Sequence, residues 1–527
     1  MTACATVLGV FNPVMVNGVG TAFDALVIHL LATLSLIISF FDIHTVLAYI
    51  LYTILFTCMP RTMSTPMSKY TDHQDISLSL LKEIWGAVRG NPAEIDKISF
   101  IGQGNLPSYF AVTDFASATM GAAGLALAEL TDAPRVTTDR RLASLWFNKT
   151  ISPIDWKIPS EPALGPTDYK TRDGWIRLHT NAPHHLDAAL RVLGVPAKRD
   201  AVIAAVSCWD ALELESAMIA NGACAAQMRS WDDWQRHPQG QSVLAEPLLH
   251  WRQGTQGSIN HWPADREHPL KGLRVLDMTR VLAGPAATRL LAGLGANVLR
   301  VDPPWWDEPS GAPEMSLGKR CTRLDLREKQ DLEHWKKLLS EADIFVHGYR
   351  SDALSALGLD AEQRQAIRPG LIDVSLDAYG FTGPWRYRRG FDSLVQMSMG
   401  IAEAGQRLSG SERPFPLPVQ ALDHGTGYLL ATATLRALTT RKQTGLGTIV
   451  NGSLARTGAL LMQTLDANLI NEPVIRPIEP ADWSDSLENT QWGLAKRLKW
   501  PTSIPGPRMD WTIGAGALGR HPATWDN

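Results

Sequence analysis

LRVLDMTRVLAGPAATRLLAGLGANVLRVD, residues 273–302, reads as strand, helix, strand. A short apolar run (273–276) is followed by Gly284 and Pro285, which open an Ala/Leu-rich helix over about 285–294. A second apolar run at 298–302 closes the unit. Short apolar runs too brief for helices, separated by one helical segment, indicate buried strands of an α/β fold. Further along come a polar loop through Lys319, a strand-like Thr322–Leu326, a helix over 328–341 and a strand at Ile344–His347. A helix over 424–441 then leads into the strand GTIVNGSL, 447–454. Strands alternating with helices predict a parallel sheet. The first turn, TRVLAGP (279–285), lacks GxGxxG, so a dinucleotide site is not indicated even though Asp302 ends the second strand.

The chain of 527 residues exceeds one ordinary domain. Its 45% hydrophobic and 20% charged residues are those of a globular enzyme. A net charge of −3 gives no global field for nucleic acid. Cysteines 4, 58, 208, 224 and 321 are scattered, with no CxxC pair. They suggest neither a disulfide framework nor a structural zinc site, and they fit a reducing compartment. No G-x-S-x-G, HExxH or P-loop occurs.

Residues 1–66 form an apolar N-terminal extension, expected outside the fold. The runs Ala25–Phe41 and Thr45–Cys58 are each shorter than the roughly 20 residues that span a bilayer, and Asp42 and His44 interrupt them. Three readings stand: a membrane anchor, a transit-like extension, or sequence upstream of a true start at Met63 or Met67. The last is favoured because composition turns soluble just after those methionines. A cytoplasmic protein is the expectation, with membrane contact only if 25–58 are retained.

Before the α/β unit, Asp75–Gly90 has helical spacing, and Phe110–Leu130 reads as a short strand and an Ala/Gly-rich helix. The latter can be laid over Val275–Gly293: Val112 on Val275, Asp114 on Asp277, Gly121 on Gly284, Ala123 on Ala286, Leu127 on Leu290. That register suggests a shortened internal repeat. DYKTRDGWIRLHTN (168–181) predicts a hairpin about Asp173–Gly174, and the helical stretch after it places Glu213 and Glu215 on an acidic face. Gln253–His268 reads as a linker. The expected organisation is thus 1–66 extension, 67–265 shortened first half, 271–460 main domain and 461–527 loop-rich tail.

The loop GFTGPWRYRRGFDSL, 380–394, sets Asp392 between a basic run and an apolar helix. With residues 273–302 and ALDHGTGYLLATATLRAL (421–438), this loop resembles the class III CoA-transferases, the CaiB/BaiF (formyl-CoA transferase-like) family. The resemblance implies an α/β fold with a Rossmann-like large domain, a smaller α+β domain and an interlocked homodimer. It implies transfer of CoA between an acyl-CoA and a carboxylic acid, with the CoA thioester as substrate and no permanent cofactor or metal. Asp392 falls on the family's nucleophile, which forms an aspartyl anhydride and then an aspartyl-CoA thioester. On pattern alone, the same acid could simply cap the helix it precedes.

The resemblance also places CoA contacts. Val281, Leu282 and Ala283 fall on the loop facing adenine and pantetheine. Tyr349 and Arg350, in HGYRSD (347–352), fall on stacking and phosphate-binding positions. Lys319 and Arg320 match a basic pair that would reach the 3′-phosphate. Arg386, Arg388 and Arg389 read as a solvated loop able to attract an anion. Asp423 is expected to cap its helix, with an acid–base role for Asp423 and His424 as the lesser reading. Two departures stand out: Ser351-Asp352 replaces Pro-Gly, and no glycine-rich flap follows the Asp392 loop beyond Leu408-Ser409-Gly410. The alternatives are an α-methylacyl-CoA racemase-like isomerase, against which Phe391 stands where those proteins carry histidine, and a catalytically silent scaffold-like relative.

Overall fold

The computed structural model describes residues 73–159, 164, 167–258 and 265–525. The readings made on residues 1–66 lie outside the described residues. Among those described, no helix is long and apolar enough to cross a membrane.

A seven-stranded sheet organises the molecule. Its strands are β1 (Leu249–Gln256), β2 (Arg274–Met278), β3 (Asn297–Asp302), β4 (Lys319–Arg323), β5 (Ile344–His347), β6 (Ile372–Asp377) and β7 (Leu446–Ser453). The order across the sheet is β4-β3-β2-β5-β6-β7-β1. Every pair is parallel except β7–β1, which is antiparallel. Parallel strands are covered on both faces, which is why β2, β3 and β5 read as near-continuous apolar runs. Within the parallel strands the order reverses direction between β2 and β5. The alternating pattern predicts the parallel sheet, and this doubly wound order is that of the Rossmann-like domain the resemblance implies.

Four helices matter for the site: α1 (Val112–Thr131), α2 (Ala283–Gly293), α3 (Asp392–Ser398) and α4 (Ala421–Thr444). Both α1 and α4 are almost wholly buried and pack against each other. Small residues allow the approach: a Cβ on Gly425 would lie 2.2 Å from the Phe115 ring. A separate three-stranded sheet (167–170, 175–178, 225–227) carries the expected hairpin, with Lys170 opposite Trp175. It forms an α+β unit with its own core of Ile176, Leu178, Val206 and Leu214.

Several expectations are corrected. Phe110–Leu130 contains no strand; Val112 already begins helix α1, whereas Val275 and Asp277 lie in β2. The proposed repeat register therefore matches a helix to a strand. A different likeness is visible: α1, strand 136–139 and helix 140–146 follow the same order as α4, β7 and helix 454–462. In both, the residue entering the second helix accepts a bond from the backbone three residues on, Asp139 from Leu142 and Ser453 from Arg456. Gln253–Gln256 is not linker but the end of edge strand β1. Glu215 is buried, not on an acidic face, because Arg229 and Arg388 both pair with it.

Candidate active site

A cavity of about 350 Å³ opens at the carboxyl ends of β2, β5 and β6. Loops leaving neighbouring strands on opposite sides of the sheet part at such a reversal of strand order, leaving a crevice for ligands. Arg280, Val281 and Ala283 reach it from beyond β2, and Gly348, Tyr349 and Arg350 from beyond β5. Gly390, Phe391 and Asp423 close its inner end. His184 and His185 enter from the α+β unit.

The loop after β2 is held in an uncommon conformation. Val281 has φ +65°, unfavourable for a β-branched residue. Its N–H donates to Glu308 Oε1 at 2.7 Å, and Glu308 also accepts from Trp306 Nε1 and Arg300. Gly284 follows where a Cβ would lie 2.3 Å from Thr279 Cγ2, so α2 can start directly under the loop. Arg280 is thereby fixed over the Trp306 and Tyr349 rings, at 4.7 and 4.9 Å, and donates to the Tyr349 hydroxyl at 2.6 Å.

The lining is electropositive. Arg280, Arg350, Arg388 and Arg389 face it against Asp377 and Asp423. Burial pushes Asp377 up to about 8, so it is largely neutral at pH 7. Burial, together with the neighbouring Asp392 charge, holds Asp423 well above the carboxylate range. Of the arginines, Arg388 is committed to Glu215 and the Ala225 carbonyl. A crevice lined by one sign of charge concentrates anions such as the phosphates of a nucleotide thiol.

Asp392 begins α3 with 1% exposure, directly behind Phe391 and Asp423 rather than on the cavity wall. Its side chain does not cap α3, the helix it begins. Its Oδ2 accepts from Asp423 N–H at 2.9 Å and its Oδ1 from the Gln396 amide. Gln396 is itself fixed by accepting from Leu417 N–H. Burial lifts the Asp392 carboxyl to about 6, opposed by these donors. Gly390 is required ahead of it, since a Cβ there would lie 2.5 Å from Ala378 Cβ and 2.7 Å from the Tyr379 ring. Phe391 stacks on His179 with centroids 3.7 Å apart, joining the loop to the α+β unit.

The remaining expected site residues divide. Val281, Ala283, Tyr349 and Arg350 line the cavity; Leu282 does not. Lys319 and Arg320 are corrected. Lys319 is fully buried, with Nζ donating to Asp277, Thr288 and the Pro285 carbonyl. It neutralises a core acid and cannot reach a phosphate. Arg320 is buried and donates to the Thr524 carbonyl. Asp423 does not cap α4. His424 packs on Phe147 in the core, and burial lowers it to about 3, so it stays neutral and off the cavity. Asp302 pairs with Arg300 and is not available to a ribose. The sequence reading missed Arg280, His184, His185 and Trp306. Arg280 lies inside the mostly apolar TRVLAGP turn, where one arginine carries no pattern of its own; the two histidines lie far upstream and carry no local signal.

Residues 270–482 match the family model described as CoA-transferase family III. This region is a CoA-transferase family III domain. Among curated relatives, succinyl-CoA:glutarate CoA-transferase of Mus musculus is 30% identical over 39% of this chain and 50% of its own length. An acyl-CoA transferase of Gibberella moniliformis is 28% identical over 66% of this chain and 59% of its own. A crystal structure of a CaiB/BaiF family protein from Brucella suis is 28% identical, with 43% of this chain and 65% of that chain covered and a TM-score of 0.34. The chain spans about half the length of such curated relatives. Among the described residues no cluster of His, Cys, Asp and Glu could hold a metal. Cys208, Cys224 and Cys321 are free thiols.

Proposed function

We propose that this protein transfers CoA between an acyl-CoA and a carboxylic acid, with Asp392 as the covalent nucleophile. The observation that carries the proposal is the placement of Asp392 immediately behind the inner wall of an arginine-lined crevice at the sheet's switch point. The phosphates of CoA would lie toward Arg350 and Arg389, the adenine against Tyr349 or Trp306, and the pantetheine along Val281 and Ala283. The thioester then comes to Phe391 and Asp423. Because Asp392 is covered in this structure, Phe391 or Asp423 has to turn aside for the carboxylate to meet the acyl carbon.

Once met, a carboxylate needs no base to attack. It displaces the CoA thiolate to give a mixed anhydride, and the sulfur then attacks the aspartyl carbonyl, releasing the donor acid and leaving an aspartyl-CoA thioester. An acceptor acid reverses both steps. Backbone N–H groups near Gly390 and Ser393 are suited to the tetrahedral oxyanion. An interlocked homodimer accompanies this reading, and light scattering at twice the chain mass would support it.

The test is isotope exchange. With acetyl-, succinyl- and palmitoyl-CoA supplied in turn with labelled free acids, label should pass into a CoA thioester. Asp392→Asn should reduce exchange to background while circular dichroism stays unchanged. Exchange at the wild-type rate in that variant would reject the assignment.

A further inference from the structure

Helices α1 and α4 each carry one buried acid in the first turn, and the two acids are treated differently. Asp114 in α1 is neutralised: Arg140 Nη2 lies 2.7 Å from it, and Ser77 and His73 bond to it as well. Asp423 in α4 is only 7% exposed, lines the crevice, and its side chain makes no hydrogen bond or ion pair among the described residues. Its own N–H meanwhile holds Asp392 Oδ2 at 2.9 Å. A buried carboxyl without a partner is costly unless it stays protonated or meets a ligand.

We propose that Asp423 is the proton donor and acceptor for the CoA sulfur. This deepens the transferase reading and rests on it. In the first step Asp392 attacks the thioester carbon, the C–S bond breaks with its electron pair on sulfur, and the Asp423 carboxyl gives its proton to that sulfur. The products are the mixed anhydride, CoA thiol and an Asp423 carboxylate. In the second step Asp423 takes the proton back, the sulfur attacks the aspartyl carbonyl, and the donor acid leaves as a carboxylate. One negative charge is present throughout, and Asp423 ends as it began.

The pairing with Asp392 makes this directional. While Asp392 is a carboxylate, its charge holds the proton on Asp423. Acylation removes that charge, so Asp423 releases its proton when a thiolate, of ordinary pKa about 8.5, has just appeared. When Asp392 is freed at the end of the reaction its charge returns. The other ionisable groups facing Asp423 across the crevice are Arg280, Arg350, Arg388, Arg389, Asp377, Tyr349 and the pair His184 and His185.

Thiol release in a single turnover tests the proposal, measured against pH in H₂O and D₂O with the fastest of acetyl-, succinyl- and palmitoyl-CoA. Expected for the wild type is a rate that slows in D₂O and declines at alkaline pH. In Asp423→Asn the rate should fall about 100-fold, with both dependences lost, while hydroxylamine still traps the acyl intermediate at Asp392. Thiol release by Asp423→Asn at the wild-type rate would overturn the proposal and leave the nucleophile in place. If that variant does not fold, a wild-type rate identical in H₂O and D₂O across the pH range overturns it alone. Absence of any Asp392 adduct in the wild type overturns both readings.

Discussion

Asp392 and Asp423 show what one backbone N–H can do for two carboxyls. The donated bond and the Gln396 amide let Asp392 ionise near pH 6 in a site where burial alone would favour the neutral acid. A nucleophilic carboxylate must be deprotonated, so kcat/KM should rise with pH through about 6 and be lost below it. Gln396→Leu removes one donor to the charged form and should move that limb upward. A pH–rate profile of the two proteins checks both statements, and an unmoved limb would count against Asp392. Asp392 stands out as a candidate in the sequence, because a loop motif is a local signal. Its partner's state does not. Whether Asp423 is paired depends on the absence of an arginine at a place that Arg140 fills beside Asp114, and no spacing rule encodes that contrast.

Among the elements, β2, α2, β3 and β5 were read from 273–347 to within two residues or so, since buried parallel strands and an Ala-rich helix differ in length and composition. The error at Phe110–Leu130 has a physical cause: α1 is apolar all round because it is buried all round, so it shows no helical stripe to distinguish its start from a strand. Lys319 was misjudged for a related reason. A lysine opening a strand looks solvated until the sheet places it beneath α2 beside Asp277. The Asp392 loop itself is set by close packing. Gly390→Ala would press a methyl group into Ala378 and Tyr379, so the loop must shift by a fraction of an ångström or more. Catalysis should fall about 100-fold with little change in circular dichroism, as expected when a reacting group is displaced by about 1 Å. Wild-type kcat in that variant would show that the tight turn is not required.

Across the whole molecule, segments distant in sequence are tied by buried charge. Glu314 accepts from Thr150 and pairs with Arg289 and Arg497, so the first segment, the main domain and the tail meet at one carboxylate. These donors hold its pKa below the ordinary value despite burial. A depressed acid contributes stability above its unfolded pKa, about 4.3, and loses that contribution as pH falls through the folded value. Glu314→Gln leaves two buried guanidinium groups underpaired and should cost about 3–5 kcal/mol at neutral pH, with a smaller difference from wild type in acid. Urea unfolding at pH 7 and at successively lower pH through the folded value measures this, and an equal loss throughout would mean that charge is not what binds the segments. None of this was visible in the tail's sequence, where Pro, Gly and Trp give no period although Trp511 and Arg497 are seated on the main domain.

The most direct measurement is to incubate the protein with an acyl-CoA and hydroxylamine and locate the hydroxamate by peptide mass spectrometry. A hydroxamate on Asp392, absent without acyl-CoA, is the predicted result. A hydroxamate on another residue, or none while CoA exchange proceeds, would contradict the account.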